Sequence, residues 1–289
     1  MLKKVLIATD LSESSFSLIN CLKELKLFGV QSVILQHVID LKYALTVPQK
    51  LIDESLNILA KQAEILTEDG LTVFTDLKQG VPHIEILKSA KDNGVSAVIV
   101  GSHGKSIAKE IVLGSVTSQL IEEAQIPLLV VRMSLFDNAA KSRSCMIKVS
   151  HLFKNVLLPT DFSPENKAAI EFLRGMKQYI EKIHVVHVQE PIMLEQPIEF
   201  DMQELDAINI KRLQDVCSVF EGVKTTCEVL HGIPNLEIVD YSKAHRFTLI
   251  VMGTRGLGAA ARFFLGSNTR YVIRHSELPV FIIPSKKES

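Results

Sequence analysis

The chain has 289 residues, 47% of them hydrophobic, and 32 Lys plus Arg against 33 Asp plus Glu give a formal net charge of −1. That balance removes the overall basic footprint of a nucleic-acid binder, and no apolar run approaches the roughly 20 residues that cross a bilayer. The length suits about two domains.

From the N-terminus, residues 1–8 open like a signal peptide, but Asp10 cuts the apolar stretch short, and 5–8 is predicted as a buried strand. Ser12 follows as a helix N-cap, with Leu18, Leu22 and Leu25 on one helical face and Ile19 beside them. Apolar runs at 33–39, 71–74, 97–100 and 128–131 alternate with helix-period segments, the pattern of a parallel, doubly wound sheet. Residues 133–152 fit neither period, and the small polar stretch 137–144 predicts a solvated linker over 134–152. The alternation then restarts with runs at 156–158, 183–188, 225–230, 249–252 and 280–283, and Ser163-Pro164 supplies an N-cap and a first helical proline.

The second series repeats the first. Val5-Leu6-Ile7-Ala8-Thr9-Asp10-Leu11-Ser12 recurs as Val156-Leu157-Leu158-Pro159-Thr160-Asp161-Phe162-Ser163, His37-Val38 as His187-Val188, and Gly80-Val81-Pro82 as Gly232-Ile233-Pro234. Each unit is long enough to bury its own core, so the duplication predicts two similar domains, 1–133 and 153–289.

The most specific repeat is Gly101-x-x-Gly104, nine residues, then Gly114-Ser115, matched by Gly253-x-x-Gly256, nine residues, then Gly266-Ser267. Both copies follow a strand-like apolar run, where ligands of a parallel sheet collect, and both open a helix whose free N–H groups suit an anion. The N–H groups of Ser115, Val116 and Thr117, with the hydroxyls of Ser115 and Thr117 or of Ser267 and Thr269, form a candidate phosphate clamp. Simple turning and helix capping compete with that reading for one copy alone; the identical spacing in two copies weighs against it. Gly104-Lys105-Ser106 imitates a Walker A ending, but only two residues separate Gly101 from Gly104 where that loop needs four. The HxGH and SGGxDS motifs of other adenine-nucleotide families do not occur. Asp10 and Asp161 end the first strand of each copy, where a carboxylate can accept from an adenine amine or a ribose hydroxyl, or simply cap a helix. Cys21, Cys145, Cys217 and Cys227 lack metal-site spacing and are expected as packed or free thiols, with a redox role for Cys217 and Cys227 as the lesser reading.

Together these residues resemble the universal stress protein family in its tandem form, over nearly the whole chain outside the linker. Pro159-Thr160-Asp161-Phe162-Ser163-Pro164 is similar to the usual family opening, and Ala8 replaces that proline in the first copy. The resemblance implies an α/β fold of two Rossmann-like domains, akin to the adenine nucleotide alpha hydrolases. Each would be a five-stranded parallel sheet flanked by helices, the two pairing through their last strands as an intramolecular pseudo-dimer. In the ATP-binding branch it also implies a nucleotide at each sheet edge. By position, Asp10 and the backbone of Val38 would meet adenine. Gly101, His103 and Gly104 would surround ribose and the proximal phosphate, and Gly114, Ser115, Val116 and Thr117 the distal phosphates. The second set would be Asp161, Val188, Gly253, Arg255, Gly256, Gly266, Ser267, Asn268 and Thr269. The His103-to-Arg255 and Val116-to-Asn268 differences predict unequal affinities.

The expected function is therefore a cytoplasmic stress protein that switches on ATP, ADP or AMP, with any Mg2+ or Mn2+ held mainly by the phosphates. Its partners would be the nucleotide, an unidentified protein and, in some forms, further copies of itself, with neither specific nucleic acid nor membrane. Hydrolysis or phosphoryl transfer is the enzyme alternative; Glu110 is its lone carboxylate candidate in the first spacer, and Ala261-Arg262 offers no match in the second. A module that binds no nucleotide is the third reading.

Overall fold

A computed structural model describes residues 2–41, 47–102, 113–123, 125–132, 148–190, 202–254 and 266–285. The chain divides into two units, Met1–Leu152 and Phe153–Ser289. The first contains β1 (Lys4–Ala8), α1 (Glu13–Leu22), β2 (Ser32–Asp40), α2 (Gln49–Glu68), β3 (Thr72–Gly80), α3 (Pro82–Asp92), β4 (Ala97–Gly101), α4 (Ser115–Glu123) and β5 (Leu128–Val131). Its strands lie in the order β3-β2-β1-β4-β5, every adjacent pair parallel. The second contains β6 (Asn155–Pro159), α5 (Lys167–Met176), β7 (Lys182–Gln189), α6 (Met202–Ser218), β8 (Lys224–His231), α7 (Pro234–Ala244), β9 (Leu249–Gly253), α8 (Ser267–His275) and β10 (Val280–Ile283). Its order is β8-β7-β6-β9-β10, again parallel.

This order sets the site. The chain leaves β1 on one side to build β2 and β3, then crosses to the other side for β4 and β5, so a crevice opens at the carboxyl ends of β1 and β4. Asp10 and Gly101 border it, and Asp161 and Gly253 border the equivalent crevice beside β6 and β9.

The central strands are apolar on both faces because helices cover both faces of a parallel sheet. Val5, Leu6 and Ile7 are fully buried, as are Val156, Leu157 and Leu158, each contributing about 1.5 to 3 kcal/mol of burial energy. Leu18, Ile19 and Leu22 form the buried face of α1, and Leu25 extends it through the 3-10 turn Lys23–Phe28. The turn stops at Gly29, whose φ of 81° a side chain would resist.

Three features depart from expectation. Ser163 caps a 3-10 turn, Pro164–Asn166, rather than an α-helix directly, and α5 begins only at Lys167. Strand β3 runs well past the apolar stretch that announces it, whereas β8 exceeds its own by one residue at each end; the β3 ladder to β2 needs only backbone groups and leaves one edge tolerant of polar side chains. Finally, the end of the expected linker is packed: Val149 and Leu152 are buried and Ser150 N donates to Glu24 Oε2 at 3.1 Å, whereas 134–147 lie outside the described residues.

Candidate functional site at the carboxyl edge

In the first unit one oxygen of the strand-end aspartate is held by local donors, and the other is buried. Asp10 Oδ1 accepts from Ser12 N at 3.1 Å, Ser12 Oγ at 2.6 Å and Ser15 Oγ, while Ser12 Oγ also accepts from Ser15 N and so caps α1. Asp10 Oδ2 is buried and has no hydrogen-bond partner among the described residues. A carboxylate oxygen accepts and cannot donate, so this atom calls for a donor from outside. The bend that aims it places Leu11 at φ 61°, an uncommon conformation for a branched side chain. Leu11 N donates to Thr9 Oγ1, and that hydroxyl donates in turn to Gln62 Oε1 on α2 at 2.9 Å.

The β1–β2 register ends at Ala8 with Gln36, and Thr9 N makes the last ladder bond, to Gln36 O. His37 Nδ1 lies 2.8 Å from Thr9 O, and since a carbonyl only accepts, this ring nitrogen carries the proton. Val38 therefore sits two residues beyond Gln36, the last β1 partner, which places its main chain at the rim of the crevice.

On the β4 side, Gly114 N donates to Ser102 O and Ser102 N to Val131 O, fixing the helix entry against the strand ends. The α4 ladder starts with Ser118 N to Gly114 O. The N–H groups of Ser115, Val116 and Thr117 precede it and, as in any first helical turn, lack an acceptor within the helix. Thr117 departs from its expected role: its buried hydroxyl donates to Gly101 O at 2.8 Å, so the side chain ties helix to strand instead of offering its proton to a phosphate. Thr269 does the same to Gly253 O at 3.0 Å.

The second unit repeats the frame with different surroundings. Gly266 N donates to Thr254 O and Arg270 N to Gly266 O, leaving Ser267, Asn268 and Thr269 ahead of the ladder. Asp161 Oδ1 accepts from Ser163 N at 3.0 Å, Phe162 takes φ 61°, and His187 Nδ1 meets Thr160 O at 2.9 Å, with Val188 next along β7. Asn166 stands where the first copy has Ser15; it donates to Pro159 O, and its own buried Oδ1 has no partner among the described residues. Arg212 lies 3.9 Å over the Phe162 ring, which packs 4.5 Å from the His187 ring. Burial pulls the His187 pKa below its ordinary value; the Thr160 carbonyl opposes this, Arg212 adds to it and Asp161 opposes it.

His103, Gly104, Glu110, Arg255 and Gly256 lie outside the described residues. Thr9, Ser15, Gln62 and Arg212 were not singled out from sequence. The Thr-Asp pair repeated at both openings was the available signal for Thr9; Ser15 meets Asp10 within the local capping turn, and Gln62 and Arg212 reach the site through the fold.

A profile of the universal stress protein family matches residues 1–132 and again residues 152–284. The chain belongs to that family. Universal stress protein MJ0577 of Methanocaldococcus jannaschii is 34% identical over 155 residues, covering 46% of this chain and 96% of its own. Universal stress protein Mb2028c of Mycobacterium bovis is 25% identical over 229 residues, covering 78% of this chain and 72% of its own. The crystal structure of a universal stress protein from Archaeoglobus fulgidus matches all of this chain and 98% of its own with a TM-score of 0.73 at 25% identity. This universal stress protein thus carries the family unit twice.

Its thiols fall into two sets. Cys21 is disulfide-bonded, where a packed or free thiol is expected. Cys217 and Cys227 are free and within hydrogen-bonding contact of each other; burial, reinforced by Cys227, pushes the Cys217 thiol up to about 12. A thiol so rarely ionised is a poor nucleophile at neutral pH.

Proposed function

We propose that this universal stress protein binds an adenine nucleotide, ATP or its ADP and AMP forms, at the carboxyl edge of each unit, and that occupancy acts as a stress-response switch in the cytoplasm. The observation that carries this reading is Asp10 Oδ2, a buried acceptor with no donor among the described residues, beside a crevice lined by main-chain N–H groups. An adenine amine or ribose hydroxyl supplies the missing donor, and phosphate oxygens supply acceptors for Ser115, Val116 and Thr117 N–H.

The chain's own groups divide the work. Ser12 and Ser15 fix one carboxylate oxygen so that the other keeps its direction, and Thr117 and Thr269 hold the glycine carbonyls so that the helix N-termini keep theirs. Any Mg2+ or Mn2+ would be held mainly by the phosphates. A ligand that binds only the folded state at one hundred times its dissociation constant adds about 2.7 kcal/mol, enough to bias a partner-binding surface.

Mass spectrometry of the natively purified protein should find an adenine nucleotide, and millimolar ATP, ADP or AMP should raise the melting temperature. Asp10→Asn, which turns an acceptor into a mixed group, should weaken nucleotide binding by about tenfold or more. No co-purifying nucleotide together with no thermal shift for any of the three would overturn the reading.

A further inference from the structure

A hollow of about 400 Å³ opens in the first unit beneath α3, away from the crevice just described, lined among others by Lys4, Phe74, Asp76, Lys88, Ser89 and Asn93. That volume is in the range of small-molecule sites. Phe74 is part of its lining with 55% of its surface exposed, a large ring with little cover. Asp76 is its polar centre: Oδ2 accepts from Gln36 Nε2 at 2.9 Å and Ser89 Oγ at 3.2 Å, and Lys78 lies 3.4 Å from Oδ1. Gln36 is 1% exposed, and its Oε1 has no partner among the described residues, which leaves the network around Asp76 incomplete there.

The second unit carries a template for what fits. Strand register places Ile34 beside Phe74 and Gln36 beside Asp76, and in the second unit His184 beside Thr226 and Val186 beside Glu228. Counting on from the repeated Gly-x-Pro, Ser89 corresponds to Tyr241 and Asn93 to His245. Where the first unit has its hollow, the second has rings: His184 stacks on Tyr241 at 5.4 Å and 12°, and Tyr241 on His245 at 4.1 Å and 28°. The Tyr241 hydroxyl donates to Glu228 Oε2 at 2.7 Å, the equivalent of the Ser89-to-Asp76 bond. Because that uses the only phenolic proton, His184 Nε2–H donates to the Tyr241 oxygen at 2.7 Å and His184 Nδ1 accepts from Thr226 Oγ1 at 2.6 Å.

We propose that the first-unit hollow binds a small uncharged phenol, its ring on Phe74 and its hydroxyl donating to Asp76, taking the place that Tyr241 fills from within the second unit. An uncharged ligand is favoured because three lysines balance three carboxylates around the lining. The carboxylate acceptor selects a ring bearing a hydroxyl over the same ring without one.

The test uses the full chain and p-cresol, with toluene as the analogue lacking the hydroxyl, followed by amide chemical shifts. Saturable shifts at Phe74, Asp76 and Ser89 are expected with p-cresol, and affinity for toluene should be at least about tenfold lower, the worth of one charge-assisted hydrogen bond. Ser89→Tyr, which imports the second unit's ring, should abolish p-cresol binding while leaving the melting temperature at or above the parent's. Phe74→Ala alters only an exposed side chain and should weaken p-cresol several-fold, an independent check if Ser89→Tyr fails to fold. The proposal is overturned if p-cresol gives no saturable shift at its solubility limit, if toluene binds as well, or if a folded Ser89→Tyr or Phe74→Ala variant binds p-cresol like the parent.

Discussion

Beneath α3 the first unit is hollow around Asp76, whereas beneath α7 the second is filled by His184, Tyr241 and His245 around Glu228. The sheet order, the strained residue after each aspartate and the threonine-to-glycine tie are nevertheless the same in both. The difference teaches that the frame resides in main-chain bonds and a few short side chains that serve them. The filling between frame elements is set by longer side chains and has diverged on its own.

The strongest challenge to an equal frame is truncation at its centre. Leu6→Ala and Leu157→Ala, both at fully buried positions of the middle strands, should each cost about 3 to 5 kcal/mol, read from the urea transition of the unit concerned. A marked inequality would mean that the two frames are not equivalent. The unequal filling predicts the opposite outcome at the next level. Tyr241→Ala should cost about 2 to 3 kcal/mol, through lost stacking and an emptied site, whereas Ser89→Ala should cost about 1 kcal/mol or less. Hydrogen exchange of the α7 and α3 amides would measure both, and equal losses would contradict the contrast. Thr117→Val and Thr269→Val return to the shared frame, each losing one hydrogen bond to a glycine carbonyl for about 1 kcal/mol, seen as similar drops in melting temperature.

The smallest effect is pH-dependent and belongs to the second unit. Burial lowers the His184 pKa, Glu228 partly opposes this and His245 reinforces it; His187 is lowered as well. Because the unfolded chain takes up the proton at higher pH than the folded one, stability is full above the ordinary histidine pKa of about 6.5 and falls as pH drops through it, levelling only below the folded values. The urea midpoint of the second unit should therefore decrease on acidification from about pH 7.5 to 5.5, and His184→Ile, which imports the first unit's residue, should shrink that decrease. An unchanged pH dependence in His184→Ile would assign the effect elsewhere.

Much of the frame is legible in the chain because buried parallel strands need continuous apolar residues and helix starts need short hydroxyl caps. Leu6 and Ile7, Leu157 and Leu158, and Ser12 announce themselves in this way. Strand ends at the sheet margin do not, since Lys78 and Gln79 hold their ladder through the backbone while their side chains meet water. At the crevice, the glycine spacing and the aspartates mark the place, and Leu11 and Phe162 sit beside them without advertising their φ. Gln62 and Arg212 were illegible for another reason: a helix far along the chain brings them there, and nothing local in the sequence encodes that docking. The Thr117 hydroxyl reads in the sequence as a phosphate donor, and its bond to Gly101 O is visible only once the fold brings helix and strand end together.

The bends at Leu11 and Phe162 bear on how tightly the crevices would hold the proposed nucleotide. Each left-handed residue forgoes roughly 1 to 2 kcal/mol that glycine would not, and glycine would also let the neighbouring carboxylate wander. With a bulky residue there, the carboxylate is aimed before anything arrives, and the ordering cost that a loose mouth would meet at each encounter is met once, when the chain folds.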